Sequence, residues 1–150
     1  MSSIFRSMRI SATAITSERL RMDVISNNIA NSQTTRTDEG GAFKRKRVVF
    51  QAQEDGVSSL QRMRGPGTLA DVHNLQGVRV RRIVESDEDM VRTYDPNHPD
   101  ADADGFVEYP NVDISTEMVD LMAASKAYQS NITVIQTAKT MAQAALQIGK

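Results

Sequence analysis

The sequence predicts a mainly α chain with a small β-rich middle. Long N- and C-terminal helices pair as a coiled-coil-like α-helical hairpin around a central β-hairpin or extended region with a long loop. Three patterns carry this reading. Apolar residues recur every seven positions at both ends, every proline and nearly all the glycines fall between residues 32 and 110, and short runs of alternating or β-branched residues interrupt that middle.

The first helix is expected from about residue 3 to residue 31. Met8, Ile15, Met22 and Ile29 form a heptad row, and no Gly or Pro occurs before Gly40. Ser11 and Glu18 interrupt the neighbouring row. The helix should end where Asn27, Asn28 and Asn31 cluster, because their short amide side chains compete for backbone hydrogen bonds. Two strands are expected next, at 43–53 (FKRKRVVFQAQ) and 78–85 (VRVRRIVE), with a third at 90–94. The segment 54–77, with weak periodicity and a Gly-Pro-Gly turn, is expected to be a long mobile loop.

The closing helix carries the stronger pattern. Ile114, Leu121, Tyr128, Ile135 and Ala142 make one heptad row, and Met118, Ser125, Ile132, Lys139 and Leu146 the other. Asp113 or Ser115 can cap its first turn, and Glu117 and Asp120 suit the positive end of its dipole. Two helices bury too little alone, and alanines on both stripes allow close approach of further helices. Met8, Ile15, Met22, Ile29, Ile114, Met118, Leu121, Tyr128, Ile132, Ile135 and Leu146 are therefore expected to pack against other subunits. The expected division is a discontinuous helical domain, residues 1–34 and 109–150, and a central region, 35–108.

Composition narrows function. The chain has 150 residues and no cysteine, which excludes disulfides, thiolate metal sites and a Cys nucleophile. Its formal net charge is only −1, but residues 36–82 carry ten Lys/Arg against five Asp/Glu, and 85–108 carry nine acidic residues against Arg92 alone. No run approaches the ~20 apolar residues of a membrane span, nor the apolar core of a cleaved signal peptide. Nothing resembles a Ser-His-Asp constellation, a phosphate loop or a dinucleotide fingerprint, so neither an enzyme nor a small-molecule substrate is expected. His73 and His98 are expected to be exposed loop residues, and Lys44–Arg47 to form a solvated or subunit-facing surface rather than a nucleic-acid site.

One stretch offers an alternative. Residues 100–111, DADADGFVEYPN, place Asp100, Asp102, Asp104, Gly105, Val107 and Glu108 where an EF-hand loop wants them, so a calcium-binding module is the competing reading. The bidentate Glu at the twelfth position is replaced by Asn111, and Pro96 and Pro99 exclude the entering helix. An acidic turn leading into the last helix is expected, with no metal or other cofactor.

The stretch Val24–Thr34, VISNNIANSQT, resembles the Asn-Ile-Ala-Asn signature of the bacterial flagellar rod, hook and hook-associated proteins. Phe43 with Arg47–Gln51, Tyr94–Pro99, Asp100–Asp113, Glu117–Asp120 and Ser125–Asn131 resemble the proximal-rod members of that family. The resemblance covers about residues 4–53 and 78–148 and lapses over 54–77. It implies a structural subunit of the basal-body rod, exported by the flagellar type III apparatus without a cleaved signal and polymerised with copies of itself and neighbouring rod proteins. The resemblance further implies that the terminal helices form the inner tube of a torque-transmitting shaft.

Overall fold

The computed structural model describes residues 2–38, 40–54 and 75–148. Helix α1 spans Ser2–Ala30 and helix α2 spans Ile114–Ile148, within a residue or two of the limits the periodicity predicts. Between them lie β1 (Lys46–Glu54), β2 (Leu75–Glu85), β3 (Val91–Tyr94) and β4 (Phe106–Tyr109). β1 pairs with β2 and β3 with β4, making two separate two-stranded sheets. The chain is thus helical at both ends with a β middle.

Three expectations are corrected. The first strand starts at Lys46 rather than residue 43, because Phe43 N–H donates back to Thr34 O at 3.1 Å and Ala42 and Phe43 are buried. Both ends of the predicted 54–77 loop are strand, at Glu54 and at Leu75–Gly77; its interior, 55–74, with His73, lies outside the described residues. Residues 106–109 form a strand where only a turn was expected, with β3 and β4 antiparallel in the register Val91↔Tyr109, Arg92↔Glu108, Thr93↔Val107 and Tyr94↔Phe106.

The chain divides into two compact units, each containing part of both helices. One comprises Met1–Arg19, Phe50–Arg81 and Ser125–Lys150. Among its described residues only Ser11, Ser17 and Ala138 are buried, so helices and strand approach closely on small side chains. Strand β2 crosses α1 there: Val78 N–H donates to Thr13 Oγ1 at 3.2 Å, and Thr13 Oγ1 donates to Ile10 O at 2.7 Å. Gly77 makes that approach possible, since it holds φ at +113° and a Cβ would overlap Thr13 Oγ1.

The other unit comprises Leu20–Val49 and Arg82–Ala124. Its core gathers Val24, Ile25 and Asn28 of α1, Ala42 and Phe43, Val107 of β4, and Glu117 and Ala124 of α2. Arg21 lies 3.8 Å from Asp120, and Asn28 touches Glu117, so in this unit the end of α1 meets the start of α2.

Candidate assembly site

Within the second unit a buried polar latch joins three distant segments. Asn28 is 1% exposed although it sits on a helix, and its amide bonds both backbone groups of Lys46, the first residue of β1. Its Nδ2 donates to Lys46 O at 2.8 Å, and its Oδ1 accepts from Lys46 N–H at 2.9 Å. The same Nδ2 donates to Glu117 Oε2 at 3.0 Å. Arg45 supplies the cation: Nε donates to Glu117 Oε1 at 2.6 Å, and Nη2 lies 2.5 Å from the same oxygen. Both oxygens of a fully buried carboxylate are thereby satisfied, the condition under which such a group is tolerated.

The three asparagines therefore differ in role. Asn31 Nδ2 donates to Asn27 O at 2.9 Å, capping a carbonyl at the helix end, and Asn31 Oδ1 accepts from Thr34 Oγ1 at 3.2 Å. Asn27 is exposed and contributes that carbonyl. Asn28 alone reaches across the unit. Glu117, read from sequence only as a dipole complement, is the buried partner, and Arg45 was one of four basic residues in an apparently solvated run. A charged residue inside a helical stripe was the available signal, but its partner lay 72 residues away.

The apolar residues expected to pack between subunits fall into two groups. Met8, Ile15, Met22, Ile29, Leu121, Tyr128, Ile132 and Ile135 are half-buried within the chain, whereas Ile114, Met118 and Leu146 are exposed. On α1 the heptad row flanks the contact: Ile15 and Ile29 each follow by four a buried residue, Ser11 and Ile25. On α2 the buried row is Glu117, Ala124 and Ala138, spaced by multiples of seven and built of small or satisfied side chains. Around the helix from that row, Ile114, Met118, Val119 and Met122 stand in solvent, Met118 at 55% and Met122 at 63% exposure. The start of α2 is thus apolar on a face that its own unit does not cover, more than scattered single exposure would explain. Farther along, Val134, Met141 and Leu146 are also exposed.

The acidic stretch resolves into a tight turn. Asp102 Oδ1 accepts the N–H groups of Asp104 and Phe106, both at 2.9 Å, while Oδ2 takes Arg92 Nη2 at 2.9 Å. These bonds, the one from Phe106 first, hold the Asp102 carboxyl below its ordinary range. Asp100 Oδ2 accepts Thr35 Oγ1 at 2.7 Å. His98 is half-buried rather than exposed: its Nδ1 accepts Asp100 N–H at 3.1 Å and its ring meets Tyr109 edge-on. Gly105, at φ +81°, closes the turn where a Cβ would lie 2.9 Å from Tyr94. Two ligand positions of the supposed calcium loop are therefore already engaged by the protein itself. Among the described residues no group of three or more His, Asp or Glu could hold a metal ion, and no helix is long and apolar enough to cross a membrane.

Asp113 caps α2, as its position suggests. Its Oδ1 accepts Ser115 N–H at 3.0 Å and its Oδ2 accepts Thr116 Oγ1 at 2.7 Å. The Thr116 hydroxyl is the main reason its carboxyl also titrates below the ordinary range.

Comparison with known proteins points the same way from both ends of the chain. Residues 8–36 match the family described as flagella basal body rod protein, and residues 103–148 match the flagellar basal body rod FlgEFG protein C-terminal family. The sequence is 41% identical over 152 residues to the flagellar basal-body rod protein FlgC of Bacillus subtilis, covering 97% of this chain and 98% of that one. It is 42% identical to the FlgC of Borreliella burgdorferi, with 97% of each chain covered, and 34% identical to that of Salmonella typhimurium, with 94% of each covered.

Proposed function

Since this chain belongs to the FlgC family of flagellar basal-body rod proteins, and is a structural subunit of the rod, we propose that it polymerises through its terminal helices into a torque-bearing shaft. The observation that carries this is the uncovered apolar face of α2, where Ile114, Met118, Val119 and Met122 lie exposed while Glu117 and Ala124 of the same helix are buried. A helix apolar on separate faces needs a second partner, and a polymer of identical chains supplies one at every position. In this reading residues 1–34 and 109–150 form the axial part, and residues 35–108 lie outside it.

The mechanism is mechanical. Apolar packing between helices of adjacent copies and of neighbouring rod proteins carries load, while the latch at Asn28, Arg45 and Glu117 ties the central strands to the helices so that both move together. The chain acts without covalent chemistry, and it reaches the rod through the flagellar type III export apparatus.

The test is Met118→Asp. Because Met118 makes little use of its own unit, the variant should fold and be exported as the parent, yet be missing from purified basal bodies. Normal incorporation of this variant would remove the α2 face from the assembly.

A further inference from the structure

Charge in the middle of the chain is answered unevenly. Arg47 and Arg82 line a surface cleft together with Asp87 and Glu88, so their field is met locally. Arg92 is flanked by Asp102 at 2.9 Å and Glu108 at 3.8 Å. Among the described charges without an ion pair, one positive group lies on β2 and one negative group on the β3–β4 hairpin.

The positive group is on β2. Arg79 and Arg81 are exposed and two positions apart, hence on the same side of the strand. Among the described residues no ion pair engages either one, and Arg79 Nη2 donates only to the neutral Oε1 of Gln51, at 3.3 Å. The negative group is on the β3–β4 hairpin, which from Val91 to Tyr109 carries five carboxylates against Arg92 alone. Asp95 and Asp104 have no ion pair among the described residues. Their backbone is fixed by the Asp102 turn, by Asp95 N–H donating to Gly105 O at 3.0 Å, and by the packing of Gly105 against Tyr94.

Neither surface can meet its own copy. Arg79 and Arg81 set against the same arginines of another copy, or Asp95 and Asp104 against the same carboxylates, would repel. A contact that satisfies both must join unlike surfaces of two copies. Made head to tail, such a contact leaves one surface of each kind free at the ends and so builds a ring or a helical filament.

We propose that β2 of one copy, through Arg79 and Arg81, docks on the acidic β3–β4 hairpin, at Asp95 and Asp104, of the next copy. The turn presents its carboxylates in a set position, so little ordering is needed on binding. The contact steers and orients copies whose apolar helices then pack, a division of labour typical of charged rims. It rests on the rod-subunit reading only for the premise that copies of this chain meet.

The test is a charge swap in the full chain, expressed in cells lacking their own copy, with incorporation into purified basal bodies as the readout. R79E/R81E and D95K/D104K should each lower incorporation about tenfold, while circular dichroism stays that of the parent. The fourfold variant carrying both reversals should recover to within about twofold, because every contact is again between opposite charges. In the purified chain, salt-dependent self-association should follow the same pattern, which tests the contact even if the parent chain proves absent from basal bodies and the rod reading fails. Undiminished incorporation of both double variants overturns the proposal. So does loss in R79E/R81E that the fourfold variant does not recover, since the arginines would then face a different partner such as an anionic surface.

Discussion

Arg45→Met isolates the buried latch. Glu117 is 1% exposed, with Arg45 on Oε1 at 2.6 Å and Asn28 on Oε2 at 3.0 Å. Removing the guanidinium leaves a carboxylate buried with a single amide donor. Breaking a fully buried pair costs about 3–5 kcal/mol. Arg45 itself is 21% exposed, so water recovers part of the loss, and about 2–4 kcal/mol is expected. Glu117→Gln removes the charge but keeps an acceptor in place, and should cost less, about 1–2 kcal/mol. The double variant contains no uncompensated charge at the latch. It should therefore be destabilised by about 1–3 kcal/mol less than the sum of the single variants. Urea unfolding followed by far-ultraviolet circular dichroism measures all three. A cost below about 1 kcal/mol for Arg45→Met, or strict additivity in the double variant, would refute the claim that the pair holds this unit together.

Gly77→Ala forces a Cβ into Thr13 Oγ1 from a φ of +113°, and should cost about 1–3 kcal/mol in the same unfolding assay; a neutral result would mean that β2 does not ride this closely on α1. Ala124→Leu at a site with 0% exposure should destabilise by about 1–3 kcal/mol through overpacking, whereas Met122→Leu on the open face should be neutral in the isolated chain. Asp102 and Asp113 have carboxyls held below their ordinary value of 3.8, so their stabilisation is complete above that value and is lost as pH falls through the lower folded values. Mild acid should therefore leave the turn and the α2 cap intact, and a carboxyl titration by NMR placing either group at or above 3.8 would contradict the hydrogen bonding described.

The helices were legible in the sequence because a seven-residue apolar row, repeated along both ends, has no other economical interpretation, and the strands at 78–85 and 90–94 were legible from alternation and β-branching. Residues 106–109 were not: four residues inside an acidic run carry too short an alternation to register, and the calcium-like spacing masked it. That spacing has its own cause. Asp at alternate positions followed by Gly suits a turn in which Asp102 accepts the amides of Asp104 and Phe106, and the same geometry serves metal loops. The Asn cluster announced a helix end, yet gave no sign that Asn28 would leave its neighbours and bond Lys46 and Glu117.

The sequence by itself determined the helical ends, the β-rich middle, the segregation of charge and, through its family motifs, the rod to which the chain belongs, because each of these is written in local spacing or in contiguous residues. Only the tertiary structure decided which face of each helix is spent inside the chain. The deepest row of α2 proved to be Glu117, Ala124 and Ala138 rather than the larger apolar residues beside them, since a tightly covered helix face admits small side chains and a carboxylate whose oxygens are satisfied. Met118 and Met122 were thereby left outside, and that outcome depends on Asn28 and Arg45, residues whose meeting with Glu117 no local pattern encodes.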